Sequence, residues 1–447
     1  MLPDDVLLEI FKFYLDDDFS EDGWHTLVHV CQRWRNFVFG SPRRLDLKLR
    51  CMRTRPVRKM LDIWPALPIV ISSNGFHGAD NITAALECND RVCKIDLGGD
   101  LASLLSRSAA AIEKPFPALL SMGLHSSWHY KQVPALSGSF LGGFAPRLRS
   151  IWLHFIPFPG IRKLLSSTSN LVRLNLWNIP DSGYISPETM VTSLSSLTQL
   201  QILHLGFYFP RPRPDLESRQ SPPQTRAFLC NPTHFTFQGL SEYLEGLVAH
   251  IDAPVLHSVW ITLCYEHSFD ISELPQFVNR SETFRSLGPS KADLAFVEDS
   301  IELSLSPQTE TADIMLALGI LCDEPFWPFL SLSHVWVSSL PPLATSDRLD
   351  IHVERDWSQD ELSRIQKIQW LDILRPFTAV KNLYLSEEVA PLVSPALEEV
   401  AVLPSLQNIF FEGLQPTGPV QEAIGQLASA RLLSSRPIAV RRWERSQ

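Results

Sequence analysis

The residues of this chain best suited to chemistry are few and scattered. His25 and His29 stand four apart in a run of helical periodicity, a spacing that can turn two imidazoles toward one divalent metal. A metal hydrolase built on such a pair needs a Glu between them as general base and a third ligand, and both are missing, so the pair is expected to be solvated or partly packed. His125 and His129 flank the turn-like stretch SSW and carry little alone, while Cys88 and Cys93 lie five apart without a second pair or suitably spaced histidines, a poor zinc set. The carboxylate pairs Glu387 with Glu388 and Glu398 with Glu399 read as solvated surface.

No phosphate-cradling G-x-x-x-x-G-K-[ST], no G-x-G-x-x-G, no G-x-S-x-G nucleophile turn and no H-E-x-x-H occurs. The expectation is a chain without catalytic residues, metal or cofactor. Hydrophobic residues at 45% and charged residues at 20% of 447 describe a chain with an ample core. The balance of 39 basic against 49 acidic residues, a net charge of −10, argues against nucleic acid as the main partner. No window approaches the roughly 20 apolar residues of a membrane span, and acids follow Met1 almost at once where a secretory signal would be basic, so a cytoplasmic or nuclear location is expected. The seven cysteines are odd in number and mostly set in apolar runs, which predicts reduced core thiols.

The densest pattern is the first 42 residues. After Pro3, Val6, Leu7, Ile10, Phe11 and Tyr14 recur at helical spacing, with Asp4, Asp5, Glu9 and Lys12 on the other face. The polar break DDDFSEDG precedes a second periodic run of Trp24, Leu27, Val28, Cys31, Trp34, Phe37 and Val38, ended by Gly40 and Pro42. Two helices and a turn are predicted. So small and apolar a pair needs cover from the rest of the chain or from another protein.

The order L-P, V-L-x-x-I-F and V-C-x-x-W-R closely resembles the F-box, the helical module that docks on the Skp adaptor of cullin-RING ubiquitin ligases. Leu2, Pro3, Val6, Leu7, Ile10 and Phe11 match its first half; Val30, Cys31, Trp34 and Arg35 match its second. F-boxes usually carry residues before the Leu-Pro pair, where this sequence has Met1 alone, and the acidic Asp16, Asp17 and Asp18 lengthen the first connection; the module is expected to be trimmed at its edge. The resemblance implies adaptor contacts at Leu2, Pro3, Val6, Leu7, Ile10, Phe11, Val30, Cys31 and Trp34, and a role as substrate-recognition subunit of an SCF-type ligase acting on an unknown target protein. The alternative is a protein-interaction scaffold that does not lead to degradation.

Residues 43 to 59 hold a basic cluster, Arg43, Arg44, Lys48, Arg50, Arg53, Arg55, Arg58 and Lys59, without the aromatic interleaving of a single-strand binder. RRLDLKL is predicted as a strand with Leu45, Leu47 and Leu49 inward, VRKMLDIW as a helix, and LPIVISS as a strand. From about residue 90 a phrase repeats: CKIDLGG, LLSMGLH, LRSIWLHF, LVRLNLW, LQILHLGF, FTFQG, LHSVWITL, LSHVWVSSL, VKNLYLS and LQNIFFEGL. Its last inward residues are Leu97, Leu124, Leu153, Leu176, Leu205, Phe237, Ile261, Val337, Leu385 and Phe411; the first seven recur every 23 to 32 residues. DLAFVEDSIELSLS supplies one or two further strands. LASLLSRSAAAI, GIRKLLSST, PETMVTSLSSL, SEYLEGLVAHI, TADIMLALGILCD and PVQEAIGQLASARLL alternate with the phrases and have helical spacing.

Leu171, Leu174 and Leu176, and again Leu200, Leu203 and Leu205, resemble the leucine-rich-repeat pattern L-x-x-L-x-L, with the closing asparagine displaced to Asn178. The wording FTAVKNLYLSEE and LQNIFFEGLQPTGPVQEAIGQ, with WPALP and SPRRLDL, is similar to a large group of fungal F-box proteins with divergent repeats. The expected fold is therefore α/β: a small all-α F-box at 1–42, then a leucine-rich-repeat-like solenoid at 43–447 with parallel strands on the concave face and helices on the convex face. A Pro-rich insertion is expected at about 209–224 and a fraying basic end at RRWERSQ. Trp152, Trp177, Trp260 and Trp336 stand next to inward leucines, so alternation points them to the open side of the strands as candidate target contacts.

Overall fold

The computed structural model describes residues 2–15, 23–42, 45–52, 56–73, 79–126, 134–208, 226–264, 271–286, 290–297, 300–307, 314–321, 341–354, 362, 365–399, 401–412, 419–433 and 436–443. The chain forms two compact units, Met1–Tyr184 and Ile185–Gln447.

Three helices open the first unit. The first, α1, spans Asp4–Leu15, with Asp4 and Asp5 in its first turn where the helix dipole favours negative charge. The predicted second helix is in fact two, α2 at Gly23–Val30 and α3 at Gln32–Gly40. Cys31 interrupts them with an extended backbone (φ −160°, ψ 167°), and its Sγ accepts the Trp34 amide at 3.5 Å as the cap of α3. A break of one residue leaves the apolar spacing almost unchanged, and a thiol is a weak capping group with no sequence signature. Leu8, Phe11, Trp24, Leu27, Val28 and Val38 fill the interior of this group. Trp24 donates from Nε1 to the Lys48 carbonyl at 3.0 Å and meets the Trp64 ring edge-on at 5.1 Å, seating the helices on the segment that follows.

That segment begins a parallel array: β1 Leu49–Cys51, β2 Ile69–Ser73, β3 Val92–Gly98, β4 Ser121–His125, β5 Ser150–His154 and β6 Arg173–Ile179, each paired with the next in chain order. Parallel neighbours need a crossover, supplied by helices Val57–Ile63, Ala79–Leu86, Leu101–Ile112 and Ile161–Leu165. The leucines predicted to share a core do so in register: Leu97 pairs with Leu124, Leu124 with Leu153 and Leu153 with Leu176, all buried. Full burial of each such side chain stabilises by roughly 1.5–3 kcal/mol, which one strand-helix unit alone could not collect. After β5, Phe155 takes φ +57°, and Asn178, within β6, takes φ +53°; the latter is the displaced asparagine, a residue type that tolerates this conformation.

In the second unit the strands are β7 Ile202–Phe207, β8 Ala227–Phe228, β9 His234–Gly239, β10 Ile251–Asp252, β11 Ser258–Cys264, β12 Ser290–Val297, β13 Ser300–Pro307, β14 Met315–Leu321, β15 Arg348–Val353, β16 Asn382–Leu385, β17 Asn408–Glu412 and β18 Ala439–Trp443. The sheet order is β7-β9-β11-β14-β13-β12-β15-β16-β17-β18, with β8 and β10 as a separate parallel pair. All these pairings are parallel except β12 with β13 and β13 with β14. Leu205, Phe237 and Ile261 stay in register, as do Leu385 and Phe411. Helices Pro187–Leu194, Ser241–Val248 and Pro419–Leu433 lie where helical spacing predicts them, and Lys367–Leu374 and Ala390–Leu397 are two more.

Several expectations are corrected. The described core of TADIMLALGILCD is not helical: Met315–Leu321 is β14, an apolar run buried between β11 and β13, and a short run buried on both faces has no period to betray its type. The stretch around 293–306 supplies two strands as expected, β12 and β13, but they pair antiparallel and interrupt the parallel series. RRLDLKL enters its strand only at Leu49, although Leu45 and Leu47 are buried as expected; Asp46 adopts φ +46°. Arg441, Arg442 and Trp443 do not fray but pair with β17. Two cysteines, Cys31 and Cys230, are exposed and not core thiols. Val337, Trp336, residues 16–22 of the DDDFSEDG break, His129 and the Pro-rich stretch at 209–224 lie outside the described residues.

Sequence reading also missed a recurrent device. Asn89, Asn170 and Asn231 each stand three residues before a strand and donate from Nδ2 to a backbone carbonyl of an adjoining repeat, Pro115 at 2.6 Å, Pro146 at 3.2 Å and Thr198 at 2.8 Å. They tie the turn at the strand entrance to its neighbour and satisfy carbonyls the sheet leaves open.

Candidate functional site

The nine residues expected to contact an adaptor divide by exposure. Leu7 and Phe11 are buried; Phe11 is fully enclosed, edge-on to Trp34 at 4.8 Å and to Phe37 at 6.0 Å. Trp34 is half-buried beside it. Leu2, Pro3, Val6, Ile10, Val30 and Cys31 are exposed. Val6 and Ile10 stand four apart on one stripe of α1, and Leu2 precedes the helix at the same interval. Phe13, 84% exposed, and Tyr14 extend the apolar surface at the end of the helix, and the sequence reading did not single out Phe13. Arg33 of α3 reaches back to the Leu2 carbonyl at 2.8 Å and the Asp4 carboxylate at 2.7 Å, holding the start of α1 in place. His25 stacks on Trp64 at 5.0 Å and His29 meets the same ring at 6.2 Å, so this pair packs against the tryptophan.

The face of β1 to β6 opposite the buried leucines carries ordered rows. One runs Arg50, Val70, Lys94, Ser121, Ser150, Arg173 across the six strands, each residue paired with the next. The next runs Ser72, Asp96, Gly123, Trp152, Asn175, and a third Gly98, His125, His154, Trp177. Trp152 is 50% exposed at the centre and His125 sits edge-on to it at 4.5 Å. His125 also lies 3.2 Å from Asp96, over Gly123, where a Cβ would come within 3.0 Å of the imidazole. Burial and the neighbouring His125 hold the His154 imidazole below its ordinary pKa, and Asn178 lies 3.0 Å from its Nε2. Trp177 is only half-exposed.

In the second unit Trp260 is 36% exposed on β11. The larger feature there was not read from the sequence. Lys291 of β12 bridges Asp293 and Asp350, both at 3.0 Å, and Arg348 of β15 grips Asp350 through Nε and Nη2 at 2.8 and 2.9 Å. His352 Nδ1 stands 3.0 Å from Asp293. Burial opposes ionisation of Asp293, but His352 and Lys291 outweigh it and hold the carboxyl below its usual range. Bonding to Asp350 likewise raises Arg348. Arg348 lies 4.0 Å over the Tyr384 ring, and Tyr384 stacks on Phe410 at 4.3 Å with the planes 5° apart. The alternations Lys-x-Asp on β12 and Arg-x-Asp-x-His on β15 were the available signal, but only the register joins them.

Among the described residues no cluster of three or more His, Cys, Asp or Glu side chains could hold a metal ion, and no helix is long and apolar enough to cross a membrane.

No family model matches the chain. No curated protein matches it. Among solved structures, one resembling it is the leucine-rich repeat-containing protein LegL7 from Legionella pneumophila, 15% identical, covering 72% of this chain and 93% of that one with a TM-score of 0.26.

Proposed function

We propose that this chain is the substrate-recognition subunit of an SCF-type ubiquitin ligase, its amino-terminal helices docking on the Skp adaptor, and through it on a cullin-RING ligase, while the repeat strands hold a target protein. The observation that carries the reading is that Val6 and Ile10 on α1, Leu2 and Pro3 just before it, and Val30 at the end of α2 are all exposed, on residues that also carry the F-box pattern. A contiguous apolar surface of this kind is a feature of binding sites more than of free surface. A stable docking would bury on the order of 800 Å² on each partner, with a few apolar anchors dominating. On this reading the chain has no catalytic residues of its own; it raises the effective concentration of its target near a ubiquitin-loaded enzyme. Its place would be cytoplasmic or nuclear.

The test is co-purification of the full chain with the Skp adaptor. Wild type should retain the adaptor and the double variant Leu2→Ala, Pro3→Ala should lose it. Equal retention by both, or by neither, refutes the assignment. If the adaptor is retained but bound proteins do not accumulate when the proteasome is blocked, the chain is a non-degradative scaffold.

A further inference from the structure

We infer that the open face of β1 to β6 binds an extended acidic segment of another protein, two carboxylates four residues apart meeting Lys94 and Arg173 while an apolar side chain between them lies on Trp152. This rests on the chain being a protein-binding repeat and is independent of the adaptor.

The argument is one of charge and spacing. In a chain of net charge −10, the row through Arg50, Lys94 and Arg173 holds three cations and no acid. Asp96 is the single carboxylate among the described strand residues of this face, and it is already engaged by His125 at 3.2 Å and Lys94 at 3.8 Å. Lys94 and Arg173 are exposed at their strand positions, and the two residues between them in the row, Ser121 and Ser150, are short hydroxyls. The surface between the cations is thus low and able to donate hydrogen bonds.

Three strand steps separate Lys94 from Arg173, about 14 Å. An extended peptide crossing the strands advances about 3.3 Å per residue, so acids at positions i and i+4 span the same distance. Trp152 rises beside that line from β5, half-exposed and steadied by the edge of His125, where an apolar residue of the crossing peptide would reach it. A nucleic acid would also meet the cations, but three cations beside two half-covered tryptophans give neither a continuous basic track nor a stacking ladder.

The experiment is selection from a random nine-residue peptide library on the immobilised full chain. The expected result is enrichment of Asp or Glu at two positions four apart with an apolar residue between them. The variant Lys94→Glu, Arg173→Glu should abolish the enrichment and weaken the best selected peptide about tenfold, two charge contacts' worth. Lys94→Gln, Arg173→Gln is the milder variant if the first does not fold, and Trp152→Ala should weaken binding while leaving the acid preference. Enrichment of basic or uncharged peptides, acidic enrichment without the spacing, selection unchanged in the double variant, or displacement of selected peptides by a labelled oligouridylate each overturns the inference. A variant altered at Val6 and Ile10 should lose the adaptor yet keep the peptide selection, so the two readings fail separately.

Discussion

The helical opening separates surface from core sharply enough to be measured. Val6 and Ile10 are 42% and 45% exposed, whereas Phe11, one residue along the helix, is 0% exposed. Fully burying a valine or isoleucine is worth roughly 1.5–3 kcal/mol, and about half of each side chain is already covered, so docking would gain about 1 kcal/mol at each position. Val6→Ala with Ile10→Ala should therefore weaken adaptor binding by about 2 kcal/mol, close to thirtyfold, while leaving the melting temperature nearly unchanged. Phe11→Ala removes the ring against which Trp34 and Phe37 pack and should cost about 3–5 kcal/mol of stability instead. Calorimetric titration of purified adaptor into each variant, beside a thermal melt, reads both quantities. A double variant that melts as low as Phe11→Ala, or binds as tightly as wild type, would show that the stripe is not a docking surface.

Thiol labelling followed by peptide mapping should modify Cys31 and Cys230 long before Cys51, whose thiol is pushed up to about 12 chiefly by burial and then by Cys88; fast labelling of Cys51 would contradict its enclosure. Gly142 takes φ +64°, and a Cβ there would meet the Pro115 nitrogen at 2.8 Å, so Gly142→Ala should lower stability by more than about 1 kcal/mol, read as a shift of the denaturation midpoint. Asp293 is held below its ordinary pKa in the fold, so its contribution is present above about pH 4 and is lost as pH falls through the lowered value; Asp293→Asn should flatten the acid limb of a stability-pH curve. Glu302 is shifted the other way, by burial and then by Glu354, so its ionisation opposes folding as pH rises past the raised value; Glu302→Gln should stabilise at neutral pH and do nothing below the unfolded carboxyl range, and a gain at low pH instead would refute the assignment.

Much of the fold was legible because two signals reinforce each other. Alternation within a phrase chose the inward residue, recurrence chose its neighbours, and Leu97, Leu124, Leu153 and Leu176 consequently stand side by side. Where one signal was absent the reading failed. Met315–Leu321 is apolar at nearly every position, so alternation was silent, and helix and strand could not be told apart. The break at Cys31 adds one non-helical residue to an otherwise helical pattern, too little to shift its phase. Long-range pairing was out of reach by nature: Lys291 and Asp350 meet only because a hairpin and a parallel strand bring β12 beside β15, and no local rule ties residues so far apart.

The two open faces differ in a way that bears on which of them recognises a partner. On β12 and β15 the charges are spent on one another: Lys291 and Arg348 hold Asp350, His352 stands against Asp293, and Asp350 and His352 are almost wholly buried. A charge already desolvated and paired within its own chain has little left to offer, and pulling it toward a partner would expose an uncompensated neighbour. That network ties β12 to the parallel strand β15 beside it. On β3 to β6 the cations are exposed and outnumber the acid, and Trp152 is left half-uncovered among them. Partly hydrated charges beside an uncovered aromatic ring are the arrangement that can still gain from an arriving surface, steering it by charge and holding it by apolar contact. Charge reversal at Lys94 and Arg173 should therefore change binding with little effect on folding, and loss of Arg348 should change folding with little effect on binding.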